Sequence, residues 1–165
     1  MFPSIFISHG SPALATMDNK LSDFFKNLPK MFEKPKYILV LSAHWMTQEL
    51  RIMANENPKI IYDFYGFPKK LYEKKYSAKN DILKVKEIVN ILKNKNIYIY
   101  EDKDKEGYDH GVWSPLSLMY KDADIPIIQV SLPLSYTAKD LYLLGKALRE
   151  IKKDTLILGS GTLTH

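Results

Sequence analysis

Apolar residues recur along this chain with two different spacings. Short, nearly continuous apolar runs at Ser4 to Ser8, Tyr37 to Ser42, Ile97 to Tyr100, Ile125 to Leu132 and Thr155 to Leu158 have the length and branched content of buried strands, and Leu50 to Ala54 offers a neighbouring one. Between them the spacing changes to three and four. Leu21, Phe24, Phe25 and Leu28 follow a possible cap at Asp18, with Pro29 and Pro35 bracketing the exit. Ile82, Val85, Ile88, Val89 and Leu92 predict a helix over Ile82 to Lys93, and Val112 to Tyr120 predicts a short one. Thr137-Ala138-Lys139-Asp140 has the form of a capping box, opening a helix over Leu141 to Ile151. Strands alternating with helices across short turns predict an α/β fold, a three-layer sandwich with a mostly parallel central sheet flanked by helices. The aromatic segment Tyr62 to Tyr76, broken by Gly66 and Pro68, reads as a structured loop. No repeat or low-complexity stretch divides the chain, so residues 1–165 are expected to form one domain.

Three of the strands run, after a few small or hydroxyl residues, into histidine: Ser4 to Ser8 into His9, Tyr37 to Ser42 into His44, and Thr155 to Leu158 into His165. The chain has only 4 histidines. Ligands of open α/β sheets bind just beyond the carboxyl ends of the strands, so this placement points to a metal site. With no cysteine in the chain, disulfides, thiolate zinc sites, iron–sulfur clusters and thiol nucleophiles are excluded. Imidazole suits iron, zinc, copper and nickel alike. The fourth histidine, His110, lies in Asp109-His110-Gly111 ahead of a helix, where it could exchange a proton near neutral pH with Asp109 as orienting group. Tyr65, Phe67, Tyr108 and Trp113 offer aromatic walls for a pocket, with ordinary core packing as the alternative.

The net charge of +5 would suit a nucleic-acid partner, but the lysines are dispersed among acidic and apolar neighbours and no recognition motif accompanies them, so none is expected. No run approaches the roughly 18 apolar residues of a membrane span, and the first residues lack a leader pattern. A cytoplasmic protein with no membrane partner is the expectation. The Gly159-Ser160-Gly161-Thr162 turn lacks the lysine and following helix of a phosphate loop, and neither Ser11 nor Ser160 sits in a nucleophile elbow.

Taken in order, Ser8-His9-Gly10-Ser11-Pro12, Ser42-Ala43-His44-Trp45, Asp63-Phe64-Tyr65-Gly66-Phe67-Pro68 with Leu71-Tyr72, Asp109-His110-Gly111-Val112-Trp113, Asp122-Ala123-Asp124-Ile125-Pro126 and Gly159-Ser160-Gly161 to His165 resemble the class III extradiol ring-cleavage dioxygenases, LigB-like proteins of the DOPA 4,5-dioxygenase branch. The resemblance implies that His9 and His44 are metal ligands and that His110 is a neighbouring histidine which contacts substrate or dioxygen and moves protons. It leaves His165 as either a further ligand or the catalytic base. It implies non-haem Fe(II), with Zn(II) able to use the same ligands, and a catechol and dioxygen as the small-molecule partners; Phe67, Tyr65 and Trp113 would then border the substrate. The branch usually carries two glycines where this chain has Phe64-Tyr65-Gly66, which implies a narrower pocket. The resemblance also implies an Asn-Leu-Arg-like continuation after the residue matching His165 and a later segment with another ligand. The 165 residues hold neither, so a domain lacking the family's C-terminal segment is expected, with an exposed apolar patch that favours a homodimer. Two other functions compete: a zinc hydrolase using the same histidines with Asp63 or Asp109 as general base, and a non-catalytic relative that keeps the fold.

Overall fold

A computed structural model describes residues 1–162. In chain order the strands are β1 (Ser4–Ser8), β2 (Tyr37–Thr47), β3 (Arg51–Met53), β4 (Lys59–Ile60), β5 (Tyr100–Asp102), β6 (Gly107–Tyr108), β7 (Ile127–Pro133) and β8 (Thr155–Gly161). The helices are α1 (Lys20–Asn27), α2 (Lys69–Tyr72), α3 (Ile82–Lys93), α4 (His110–Met119) and α5 (Ala138–Ala147). Six strands form one sheet in the order β1-β8-β2-β7-β3-β5, and β4 pairs with β6 beside it. All pairings in the large sheet are parallel except β3 against β7.

The alternation of side chains along each strand divides the core in two. Ile38 and Val40 of β2 face one way, into a cluster with Phe25 and Leu28 from the α1 region and Val112, Trp113 and Leu116 of α4. Leu39, between them, faces the other way with Ile128 and Val130 of β7, and packs with Val85, Ile88 and Leu92 of α3 and Leu144 of α5. Helices therefore cover both faces, as the sequence pattern predicts. Beside α5 the second face holds an apolar cavity of ≈ 720 Å³ bordered by Phe6, Leu41, Leu132, Leu141 and Leu148.

The element boundaries move where local hydrogen bonds decide them. Helix α1 starts after Asn19, not Asp18, because the Asn19 side chain accepts the N–H groups of Leu21 and Ser22 while Ser22 Oγ receives the Asn19 N–H. Helix α4 starts at His110, two residues earlier than the apolar spacing suggests, since Asp109 caps it. Strand β5 begins where the Ile97 to Tyr100 run ends: its pairing with β3 places Tyr100 opposite Arg51, and Asn96 at φ 58° ends the preceding turn. The expected helix Leu141 to Ile151 is α5 followed by a 3-10 turn, Leu148–Lys153. The aromatic loop contains α2, too short for periodicity to reveal.

One buried charge ties the layers. Lys84 of α3 is 2 % exposed, and its Nζ donates to Asp154 (2.8 Å), just before β8, and to Glu87 (3.1 Å). Partial burial pushes the Asp154 carboxyl up, but hydrogen bonds from Lys84 and Thr155 and the lysine charge outweigh it and hold the group below its ordinary value. A depressed carboxyl stabilises the fold above its unfolded pKa, about 3.9, and that stabilisation is lost as pH falls through the folded value. Asp154→Asn is expected to cost about 1.5–3 kcal/mol at neutral pH. In urea titrations the gap from wild type should close as pH drops below about 4; a gap that persists at acid pH would place the effect elsewhere.

Candidate metal centre

The first-face stripe of each central strand changes from apolar to polar at its carboxyl end. In steps of two the chain reads Ile5, Ile7, His9 around β1; Ile38, Val40, Ser42, His44 in β2; Leu156, Leu158, Ser160 in β8; and Ile127, Gln129 in β7. A period of two keeps such residues on one side of a strand, so the core ends in a polar floor beneath the strand tips. His44 stands where the pairing of β2 with β7 shifts register, between Leu41 and Met46, and β2 leaves β8 after Ser42. Irregularities of this kind re-aim side chains. His9 follows β1, its N–H donating to Gly161 O (3.1 Å), and Gly10 takes φ +61° to turn the chain away.

His9, His44 and His110 meet at this edge, with one ring nitrogen from each lying within 4.8 Å of the others. His9 Nε2 and His44 Nε2 are 3.0 Å apart. The His44 and His110 ring centres are separated by 4.0 Å, and those of His9 and His110 by 5.2 Å. His9 and His110 are buried while His44 is exposed, so the cluster opens on the His44 side. Burial pushes the His9 imidazole down to about 4, reinforced by the His44 and His110 rings against the opposing pull of Asp109 and Asp63. A neutral ring is the form that offers a lone pair.

Behind the rings lies a chain of buried polar contacts. Asp109 accepts hydrogen bonds from Ser42 Oγ (2.6 Å), Gly111 N (3.0 Å) and Gln129 Nε2 (2.5 Å). Ser42 Oγ also accepts the His44 N–H (3.2 Å). Ser160 Oγ lies 2.9 Å from His9 Nδ1 and donates to Gly111 O (2.5 Å). Only glycine fits at 111, where an added Cβ would sit 2.5 Å from Ser42 Oγ and 3.1 Å from His44 Cδ2. Asp63, from the aromatic loop, accepts the His110 backbone N–H (3.0 Å) on one carboxyl oxygen and faces His110 Nδ1 (2.9 Å) with the other, which is also 3.6 Å from His44 Nδ1. Burial raises the Asp63 carboxyl, yet the His110 ring and backbone hydrogen bonds hold it below its ordinary range.

The residues expected from the sequence divide into groups. His9, His44 and His110 converge; His165 lies outside the described residues. Trp113 is fully buried, donating from Nε1 to Ile61 O (3.0 Å), and Tyr108 is buried with its hydroxyl on Ile127 O (2.7 Å). Tyr65 is 93 % exposed. Phe67 packs on Phe64 (5.2 Å between ring centres), and it is Phe64 that meets the His110 ring edge to face at 5.8 Å. Phe64 beside His110, and Ser42, Ser160 and Gln129 in the floor, are residues that the histidine pattern does not point to. Polar residues closing an apolar stripe were the signal for the floor.

Three imidazoles fit a borderline divalent cation such as iron or zinc. Two nitrogens 3.0 Å apart can both lie about 2.1 Å from a single ion. Ser160, buried behind His9, and Asp63, behind His110, supply the orientation that metal-binding histidines ordinarily have. Fold and site together define a three-layer α/β protein with a candidate histidine metal centre at the carboxyl edge of its sheet. Residues 3–165 match the family model described as the catalytic LigB subunit of aromatic ring-opening dioxygenase, and the chain belongs to that family. It is 42% identical over 166 residues to a 4,5-DOPA dioxygenase extradiol of Beta vulgaris, covering 98% of this chain and 62% of the relative. A protein of the same name from Escherichia coli K12 is 35% identical over 164 residues, with 99% and 60% covered. The crystal structure of an uncharacterized Escherichia coli K12 protein, JW3007, superposes with a TM-score of 0.80 at 29% identity, over 100% of this chain and 62% of that one. The chain thus spans about three fifths of the length of these relatives. Among the described residues no helix is long and apolar enough to cross a membrane.

Proposed function

We propose that this chain carries the metal-binding core of an extradiol dioxygenase that opens a catechol ring with dioxygen. The observation that carries the reading is the convergence of His9, His44 and His110 at the strand ends, 3.0 Å between the first two. His9 and His44 would hold an Fe(II) ion. When bound, the ion would supply the redox chemistry of dioxygen and open positions for both reactants, a role zinc lacks.

The remaining steps belong to the protein. With its Nδ1 hydrogen on the Asp63 carboxylate, His110 presents Nε2 as acceptor for a catechol hydroxyl proton, and Asp63 stabilises the imidazolium that results. Phe64, edge to face with His110, walls the ring on the aromatic-loop side. The exposed flank of His44 is the route by which a flat substrate reaches the cluster. His165, carried over from the family pattern, would act as a further ligand or base. The ring carbon–carbon bond outside the two hydroxyls would open to a semialdehyde, both oxygen atoms of dioxygen entering the product. A DOPA-like catechol is the substrate class, by likeness to the Beta vulgaris and Escherichia coli relatives.

The hydrolase alternative is less well served. Both Asp63 oxygens are engaged by His110, and Asp109 is buried with three donors on it, so each carboxylate it calls on already has work. After anaerobic Fe(II) loading, the protein is expected to consume oxygen one for one with catechol and form a yellow semialdehyde, while zinc-loaded protein does neither. Oxygen-independent ester cleavage by the zinc form, with no catechol turnover by the iron form, would overturn the proposal.

A further inference from the structure

Ser160 and Asp63 face the far nitrogens of two of the clustered histidines, and their chemistry decides where each ring carries its hydrogen. The Ser160 hydroxyl has a single hydrogen, and the Gly111 carbonyl 2.5 Å away can only accept, so that hydrogen points to Gly111. What Ser160 Oγ turns toward His9 is therefore a lone pair. The 2.9 Å contact with His9 Nδ1 is a hydrogen bond only if Nδ1 is the protonated nitrogen, and in a neutral imidazole Nε2 is then bare. The same reasoning holds at His110. The Asp63 oxygen 2.9 Å from its Nδ1 accepts, so Nδ1 again carries the hydrogen, and in the neutral ring Nε2 has the lone pair.

We propose that Ser160 and Asp63 are positioning residues that lock His9 and His110 as Nδ1–H tautomers, holding both Nε2 lone pairs toward the cluster before any cation arrives. This rests on the metal-centre reading and extends it. Free histidine in water favours the opposite tautomer, whose hydrogen on Nε2 would block the ligand position. The lock on His9 is built from three distant parts of the chain: His9 after β1, Gly111 in α4 and Ser160 at the end of β8. Ser160 is 2 % exposed, so water does not replace its hydroxyl freely.

The decisive measurement is a long-range proton–nitrogen NMR correlation of the histidine rings in metal-free protein at about pH 8, where unperturbed imidazoles are neutral. His9 and His110 are expected to show protonated Nδ1 and unprotonated Nε2. Ser160→Ala should move His9 toward the Nε2–H form, leave His110 as it was, and weaken Co(II) binding about 10- to 100-fold. Ser160→Thr, which keeps the hydroxyl, should restore both, while Asp63→Asn should alter His110 and spare the Nδ1–H form of His9. An Nε2–H form of His9 in the wild type overturns the proposal whether or not cobalt binds. So does a Ser160→Ala protein with unchanged His9 tautomer and cobalt affinity. The wild-type spectrum needs no variant to fold and no catechol to turn over, so it is judged apart from the dioxygenase reading.

Discussion

His44→Ala is expected to lower Fe(II) affinity by more than about a hundredfold while leaving the protein folded, because loss of a direct ligand should exceed the 10- to 100-fold typical of losing a supporting partner. The position suits the test. His44 is exposed, and its side chain stands at the register shift of β2 instead of in the core, so truncation removes a ligand without opening a cavity. The backbone N–H of residue 44 keeps its bond to Ser42 Oγ. Metal content after anaerobic loading and desalting is the measurement: near one iron per wild-type chain, close to none in the variant. Equal iron in both proteins would remove His44 from the ligand set and with it the reading of the cluster.

Asp109→Ala is expected to produce the largest loss of stability among single changes near the site. Its carboxyl group serves Ser42 Oγ, the Gly111 N–H and Gln129 Nε2, all in buried residues. Leaving three buried donors without an acceptor costs at least about 3 kcal/mol, at about 1 kcal/mol or more each. For a domain of this size that corresponds to a fall in Tm of roughly 6–12 °C. The cap of α4 is lost together with the network, so the entry of His110 into the cluster loosens as well. Calorimetry measures the first effect. A Tm within about 2 °C of wild type would mean that water replaces the carboxylate and that the floor is not a closed network.

Much of this architecture was legible in the residue pattern, for identifiable reasons. Helix α3 begins and ends where its spacing predicts, because a single stripe of Val85, Ile88 and Leu92 dominates its packing and Asp81 caps it through the Lys84 N–H. Boundaries slipped where a side chain outside the apolar pattern sets them, as Asn19 does for α1 and Asp109 for α4. The histidines at strand ends revealed the centre because strands deliver side chains to a shared edge. Asp63 was harder to place, since the bond that couples it to His110 spans 47 positions and no periodicity links an irregular loop to a helix start. Gln129 was hidden by its company, a polar residue in a strand otherwise read as continuous core.

The strand order carries a consequence for how the molecule assembles. Among the described residues β1 has one neighbour in the sheet, β8, with Ser4 opposite Ile157 and Ser8 opposite Gly161; β2, the next large strand in sequence, lies on the far side of β8. A chain emerging from the ribosome therefore makes β1 long before β8, its partner among the described residues. Until residues 155–161 arrive, that pairing cannot form. Closing a loop of that length is slow compared with forming α3 or α5, and topologies dominated by such distant pairings fold late and cooperatively. His9, just after β1, and Ser160 of β8 come to rest in that same closing event. His9 would thus take its place in the centre only after β8 has been made, later than the residues of β2 and α4 that carry His44 and His110.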